Sequence, residues 1–318
     1  MSAPKIVVVA GPTATGKTRL GILLAQALDG EIVSADSMQV YRRMDVGTAK
    51  ATPEEQREIP HHLLDILEPG EMYSVSRYVE DAAAVCETLF SGGKQPVVVG
   101  GTGLYIDSLL AGRRFAGEAE ESAELRGALS EEYDRCGGEE MLRRLGGVDP
   151  ERAAKLAATD RRRIIRALEV YALTGRNISE HDQETRQQAP AYDALYTVLE
   201  YTDRTALYER IESRVDRMCE GGLYAETQSL LDRGIPDGST CMQAIGYRQA
   251  ALYLRGELSE QEARALIKQA TRRYAKRQLT WFRRHTEALR LQPDRMSMEE
   301  MADEVCRRFL EEEGNDRN

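Results

Sequence analysis

The segment GPTATGKT, residues 11–18, constrains the fold of this chain more than any other stretch. Before it lies KIVVVA, a short apolar run that predicts a buried strand. After it lies RLGILLAQAL, whose leucines recur at helical spacing. A strand, a glycine-rich turn and a helix form the context in which G-x-x-x-x-G-K-[ST] binds phosphate groups. The alternative is an ordinary glycine-rich turn that holds no ligand.

The residues of this loop have distinct chemical reasons to bind phosphate. Gly11 and Gly16 let the backbone close around an anion, which then faces N–H groups and the positive end of the helix. Lys17 supplies a positive charge, and the Thr18 hydroxyl is placed to ligate Mg²⁺. The predicted phosphate site consists of Gly11, Pro12, Thr13, Ala14, Thr15, Gly16, Lys17 and Thr18.

The order of segments predicts an α/β fold: a parallel sheet flanked by helices, of the P-loop NTPase type, with an all-helical insertion. KIVVVA, EIVSA, LLDIL and PVVVGG are strand candidates that alternate with helical stretches. Strand signals then vanish, Pro150 and Asp160 begin helices, and Gly175 ends one. ALYTVLEY predicts a returning strand. The predicted boundaries are 1–112 and 194–318 for the core and 113–193 for the insertion.

Composition excludes several classes of protein. Five cysteines and four histidines are scattered without a C-x-x-C pair, so we expect neither disulfides nor structural zinc, which indicates a reducing cytoplasm. No segment approaches the ~20 apolar residues of a membrane span. A net charge of −10 argues weakly against a nucleic-acid partner, but a local basic groove is compatible with it. A monomer is the default expectation.

Asp36 lies in SADSMQVY, directly after the predicted strand EIV, which we expect beside the P-loop strand. Ligands of open α/β sheets bind at the carboxyl ends of the strands. A carboxylate there can ligate Mg²⁺ through water or act as a general base. Asp36 and its neighbours Ser34 and Ser37 are equally good helix caps, and local sequence leaves these alternatives open.

The strand PVVV ends in GGTG around Thr102. In many P-loop NTPases the corresponding strand ends in an acid that helps to hold magnesium. Three glycines around one hydroxyl favour close approach of a bulky flat ligand over metal binding, although a tight strand-to-helix turn has the same composition. The missing acid argues against a standard ATPase.

Six segments together resemble the tRNA dimethylallyltransferase (isopentenylpyrophosphate transferase) family. They are GPTATGKT, SADSMQVYRRMDVGTAK, PHHLLD, VVGGTGLY, DRRRIIRALEVY and MQAIGYRQ, in this order. The likeness runs from Lys5 to about His285 and fits the bacterial form, since the Cys/His pairs of a C-terminal zinc finger are absent from the sequence. It implies that the P-loop grips dimethylallyl diphosphate with Mg²⁺. A prenyl group would pass to the exocyclic amine of the adenosine 3′ of the anticodon in tRNA, releasing diphosphate.

The resemblance also implies residue roles. Asp36 would be the base, Thr102 would lie beside the target adenine, and Lys17 would stabilise the leaving group. Arg248 would join the diphosphate site or meet tRNA. The helical insertion would bind the anticodon stem-loop of tRNA. The residues for which contacts to tRNA are implied are Asp36, Ser37, Met38, Gln39, Thr102, Asp160, Arg161, Arg162, Arg163, Ile164, Arg166 and Gln243.

Simpler interpretations accompany these roles. The arginine run can be a solvated helix face on which Ile164, Ile165, Leu168 and Tyr171 form the apolar side. The basic and aromatic stretch 272–285 can track an RNA backbone. It can equally be an amphipathic helix with its Trp in the core.

Two other functions remain open from the residues alone. A small-molecule kinase would use the same P-loop for ATP, with the arginine cluster as a lid. A non-catalytic RNA-binding switch gated by nucleotide is the third class. Whether ATP also binds is not decided by the sequence.

Overall fold

Parallel strands form a single sheet in the computed structural model, which describes residues 3–113 and 120–316. In chain order the strands are β1 (Lys5–Ala10), β2 (Gly30–Ser34), β3 (His61–His62), β4 (Gln95–Gly100), β5 (Asp193–Leu199) and β6 (Leu289–Leu291). The spatial order is β3-β2-β4-β1-β5-β6, and every pairing is parallel. The strands that cross the middle of the sheet are continuous apolar runs, as burial on both faces requires. The predicted fold class is confirmed.

Helices cover this sheet and form the insertion. They are α1 (Lys17–Ala27), α2 (Pro53–Glu58), α3 (Val75–Ser91), α4 (Gly103–Leu110), α5 (Glu120–Cys136), α6 (Gly138–Val148), α7 (Pro150–Ala153), α8 (Arg161–Thr174), α9 (Ile178–Gln187), α10 (Arg204–Glu220), α11 (Leu223–Asp232), α12 (Tyr247–Leu254), α13 (Glu260–Phe282) and α14 (Met298–Asp316). None of the helices within residues 3–113 and 120–316 combines the length and the apolarity that crossing a membrane requires.

The segment LLDIL is not a strand, contrary to the sequence prediction. Leu63 and Asp65 have φ values of 63° and 54°, which an extended strand does not tolerate. The edge strand is instead the preceding pair His61–His62. His62 Nε2 lies 2.6 Å from Glu31 Oε2 of β2, so this histidine has a structural partner.

The position of β4 differs from expectation as well. β4 lies between β1 and β2, so the strand that leads to Asp36 is not the neighbour of the P-loop strand. Val99 of β4 pairs with Val9 of β1 on one side and with Ser34 of β2 on the other. As a result, the glycine-rich turn after β4 lies between the P-loop and the Asp36 loop, where it can contact both of them.

The chain forms two compact units, residues 111–191 and the remainder, two residues from the boundaries expected at each end. Within the helical unit, Pro150 begins α7 and Gly175 ends α8 in a left-handed conformation, as predicted. Asp160 precedes α8 but does not cap it through its side chain; its Oδ2 accepts from Ala157 N at 3.0 Å. Ile164 is fully buried, whereas Tyr171 is 38% exposed and lies off the apolar face expected for it.

Candidate active site

The P-loop connects β1 to α1 in the conformation that its sequence predicts. Gly16 occupies the N-cap of α1 with a φ of 92°, a left-handed conformation that glycine adopts without strain. A Cβ at Gly16 would also collide with the Met298 side chain at the start of α14. The buried Thr15 hydroxyl donates to Pro12 O at 2.9 Å, so it serves the loop itself. Backbone N–H groups at the helix start therefore stay available for an anion.

Lys17 points back into this loop. Its Nζ donates to Pro12 O at 2.7 Å. Burial of the ammonium, and then the charge of Arg214, lower the pKa of Lys17 to about 7, while Asp36 acts in the opposite direction. Burial likewise lowers the pKa of Arg214 on α10 from its ordinary value. Two cations held close together with part of their hydration removed form a strong binding site for a multiply charged anion.

Asp36 has features of both roles that the sequence left open, a cap of the backbone and a carboxylate available to a ligand. Its Oδ1 accepts from Met38 N at 2.9 Å and from Gln39 N at 3.4 Å, so one oxygen caps the turn that follows β2. This is a turn and not a helix. Within the part of the chain that the structure describes, the other oxygen, Oδ2, has no hydrogen bond of its own. Asp36 lines a cavity, where Oδ2 can accept a proton or a metal-bound water.

Thr102 connects the loops after β2 and β4. Its Oγ1 accepts from Ser37 N at 3.1 Å, and its backbone N–H donates to Ala35 O at 3.1 Å. The Tyr274 side chain on α13 lies beside the Thr102 side chain, while burial and the Asp36 charge raise the pKa of Tyr274 above its ordinary value. Thr102 thus holds the turn that carries Asp36, although it is not among the residues that line the cavity.

The glycines around Thr102 make room for the protein itself. A Cβ on Gly101 would meet the Gln278 amide, and one on Gly103 would meet the Trp281 indole. The sequence led us to expect a flat ligand against this turn. At Gly103 the flat group is instead the Trp281 side chain of α13. Gly100 and Gly101 still line the cavity, but their small size is required by packing.

A cavity of about 440 Å³ brings the predicted segments together. The P-loop, Asp36, Arg214 and Arg277 contribute charged and polar groups to its lining. Apolar side chains line it as well, among them Met38, Val215, Met218, Ala244, Ile245 and Ile267. A lining with both cationic and apolar groups suits a ligand with an anionic head and a short hydrocarbon part.

Most predicted site residues of the core line this cavity, and some do not. Those that do are Thr13, Ala14, Gly16, Lys17, Thr18, Asp36, Ser37, Met38, Gln39 and Gln243. Those outside the lining are Gly11, Pro12, Thr15, Thr102 and Arg248. Arg248 is exposed on α12, and the arginine that faces Lys17 is Arg214. The diphosphate role considered for Arg248 thus has no support from its position.

The arginine run of the helical unit divides into two pairs. Arg161 binds Asp134 of α5, and Arg166 lies 2.9 Å from Glu169, whose side chain is fully buried. Arg162 and Arg163 are exposed, and Arg163 reaches no nearer than 4.0 Å to Asp160. The sequence did not show the Asp134 partner because it lies on another helix. Two of the four arginines therefore have structural partners.

Comparison with known proteins assigns the chain to a family. A profile described as IPP transferase matches residues 39–285, more than half of the chain. The chain belongs to the IPP transferase family. A second profile, described as isopentenyl transferase, matches residues 4–66 and includes the P-loop.

Individual IPP transferases agree over nearly the whole length. A tRNA dimethylallyltransferase of Carboxydothermus hydrogenoformans is 44% identical over 301 residues, 95% of this chain and 96% of that protein. The solved tRNA isopentenylpyrophosphate transferase of Bacillus halodurans is 37% identical with a TM-score of 0.73, covering 99% of both chains. A eukaryotic dimethylallyltransferase acting on tRNA is 30% identical, with a TM-score of 0.74 over 88% of this chain and 70% of that one. These relatives support the transferase interpretation and not the kinase.

Among the cavity residues of this IPP transferase that its sequence did not reveal are four on α10 and α13. Arg214 on α10, and Tyr274, Arg277 and Gln278 on α13, all line the cavity. The available signal was the arginine spacing of α10, where Arg214 stands four residues after Arg210 on the same face. Nothing local showed which face of either helix meets the P-loop.

Proposed function

We propose that this protein transfers the dimethylallyl group of dimethylallyl diphosphate to the exocyclic N6 amine of the adenosine 3′-adjacent to the anticodon in tRNA. One observation carries the choice of donor: a single cavity joins a cationic P-loop to an apolar wall and to a carboxylate with a free oxygen. Diphosphate fits the first part, a five-carbon chain fits the second, and an amine proton needs the third. The choice of tRNA is supported by the names of the relatives, and the adenosine and its amine are those that the family resemblance implies.

The P-loop binds and stabilises the leaving group. Backbone N–H groups of the loop, Lys17 and Arg214 surround the diphosphate. On binding, the Lys17 ammonium exchanges its hydrogen bond to Pro12 O for a contact with the diphosphate. As the carbon–oxygen bond of the donor breaks, its electron pair leaves with the diphosphate. The added negative charge is met by donors already in place, which lowers the barrier.

Mg²⁺ fits this site. Mg²⁺ is held in proteins by one or two protein oxygens, with water and substrate phosphates completing its shell. The Thr18 hydroxyl lies in the cavity lining, and across residues 3–113 and 120–316 no group of three or more His, Cys, Asp or Glu side chains could hold a metal alone. Thr18 would hold Mg²⁺ together with diphosphate oxygens. Bound there, the ion would offset charge on the leaving group.

Asp36 activates the acceptor. The adenine amine attacks the allylic carbon and forms the new carbon–nitrogen bond, and Asp36 Oδ2 takes the amine proton. Thr102 positions Asp36 through Ser37 N. A base in an anticodon loop reaches such a pocket after it has been turned out of the loop.

Lys17 makes diphosphate binding dependent on pH. Its pKa of about 7 means that the free protein carries mostly neutral Lys17 at pH 8. A bound diphosphate raises this pKa, so the complex gains a proton that the free protein lacks. Relative to a variant whose charge at this position does not titrate, affinity for inorganic diphosphate with Mg²⁺ therefore falls as the pH rises above about 7. Calorimetry at pH 8, in two buffers of different ionisation enthalpy, should report the uptake.

The matched control is Lys17→Arg, which stays charged at every relevant pH. Protonation of the ligand itself is common to both proteins and cancels in the comparison. Wild-type protein should take up roughly one proton more than Lys17→Arg. Equal uptake by the two proteins would contradict a neutral Lys17 in the free site.

Arg162 and Arg163 are the arginines of the helical unit that we expect to contact tRNA phosphates. Replacing both by Ala should weaken tRNA binding and reduce the slope of log K against log salt by about one to two, because fewer counterions are released. Donor binding should not change. The matched control is Arg135→Ala with Arg143→Ala, which removes the same charge from exposed positions of the same unit. An equal change of slope in both double variants would contradict a specific contact.

The direct test of the function uses purified protein, dimethylallyl diphosphate, Mg²⁺ and unmodified tRNA. Digestion and mass analysis should find adenosine heavier by one dimethylallyl group at the position 3′ of the anticodon, with one diphosphate released per event. A parallel reaction with ATP in place of the prenyl donor tests the kinase. Phosphorylated product and ADP in that arm, with no prenylated adenosine in the first, would overturn the proposal.

A further inference from the structure

One face of α13 makes polar contacts with the loops around the cavity. Tyr274, Gln278 and Trp281 are spaced four and three residues apart, which places them on the same side of the helix. Tyr274 lies beside Thr102 and lines the cavity. Trp281 Nε1 donates to Asp107 Oδ2 of α4 at 2.9 Å. Gln278 lies between them and is buried.

The Gln278 amide bridges two loops that are far apart in sequence. Its Oε1 accepts from Thr13 N of the P-loop at 2.9 Å. Its Nε2 donates to Gly101 O of the turn after β4, also at 2.9 Å. Because Thr13 N can only donate and Gly101 O can only accept, the orientation of the amide is determined by its partners. A Cβ on Gly101 would collide with Nε2, so the approach is as close as the backbone allows.

The two loops carry opposite halves of the proposed chemistry. Thr13 belongs to the loop that holds the leaving group. Gly101 adjoins Thr102, whose hydroxyl holds the Ser37 N–H beside Asp36. The bridge from Thr13 through Gln278 to Gly101 therefore connects the donor-binding loop to the turn that carries the base. Misplacement by about 1 Å between reacting groups can cost about 10²-fold in rate.

We propose that Gln278 is a positioning residue that aligns the P-loop with the Asp36–Thr102 turn, so that donor and acceptor meet in reactive geometry. This inference rests on the proposed function. Gln278 lines the cavity, and the role assigned to it runs through its bonds to Thr13 N and Gly101 O, not through a reacting atom. Its effect is on the relative placement of two loops that each bind their own ligand without it.

The test compares Gln278→Leu and Gln278→Glu with Gln269→Leu and Gln269→Glu, which change an exposed glutamine on the same helix. Leu removes both hydrogen bonds, while ionised Glu keeps an acceptor and loses the donor. We expect the single-turnover rate at saturating donor and tRNA to fall about 10- to 100-fold in both Gln278 variants. Affinity for dimethylallyl diphosphate and for tRNA should change no more than about threefold, and the Gln269 variants should match wild type.

Gln278→Glu adds a second measurement, the pH dependence of its rate relative to wild type. A general loosening of the fold would not produce that pH dependence. Its carboxylic acid form has one donor and one acceptor, as Gln does, and so can remake both hydrogen bonds. The ratio of its rate to the wild-type rate should therefore rise as the pH falls from 8 to 6. If Gln278→Leu does not fold, Gln278→Glu and its pH-dependent ratio still decide the question.

The outcomes separate this inference from the function on which it rests. Wild-type protein that makes no prenylated adenosine overturns the proposed function. An active wild type with Gln278 variants as fast as the Gln269 variants overturns the positioning role. If the Gln278 variants lost rate and donor affinity equally, the positioning role would also be overturned, because Gln278 would then be part of the donor site. A rate ratio that does not change with pH in Gln278→Glu does the same.

Discussion

Asp36→Asn should lower the single-turnover rate by about 10²–10⁴-fold, the usual contribution of general acid–base catalysis. Asn retains an oxygen at the Oδ1 position, which accepts from Met38 N and Gln39 N in the native turn. The substitution replaces Oδ2 by an amide nitrogen, which cannot take a proton from the adenine amine. The turn is therefore kept and the base is lost. Rapid-quench measurement of prenylated adenosine gives the rate.

The same variant distinguishes the other roles of Asp36. A metal-binding role predicts weaker diphosphate binding and activity that excess Mg²⁺ partly restores. A role confined to capping predicts almost no change in rate, since Asn caps as well as Asp. Asp29→Asn is the matched control, because Asp29 is exposed with a φ of 49° that Asn tolerates. A full rate in Asp36→Asn would contradict the assignment of the base.

Lys17→Ala should lower kcat by about 10²–10³-fold, or ~3–4 kcal/mol, the typical effect of removing one donor to developing charge. The P-loop keeps its backbone N–H groups, but the diphosphate loses a cation within the loop. Affinity for inorganic diphosphate should fall more than affinity for tRNA. Steady-state kinetics with both substrates varied, together with binding of each alone, check both parts.

Lys94→Ala is the control for the lost charge, since Lys94 pairs with Asp29 at the surface. It should leave turnover at the wild-type value. If Lys17→Ala also turned over at a near-normal rate, the P-loop would not be the leaving-group site. If tRNA affinity fell as much as diphosphate affinity, Lys17 would act on the acceptor.

Sequence patterns and structure agree where the determining contacts are local. The P-loop is specified by glycine at a left-handed helix start and by the strand and helix beside it. The helix ends at Pro150 and Gly175 depend on the backbone preferences of single residues. LLDIL failed as a strand because an apolar run does not reveal positive φ values at Leu63 and Asp65.

The sequence by itself determined the fold class, the phosphate loop and the candidacy of Asp36, because each depends on residues within a few positions of one another. Only the tertiary structure decided that β4 separates the two loops and that Arg214, not Arg248, faces Lys17. It alone shows that Gln278 joins Thr13 to Gly101. These contacts join residues more than 170 positions apart in sequence, from Gly101 to Gln278 and from Lys17 to Arg214. Which helix face meets the loops depends on packing of the whole core, and no local pattern encodes it.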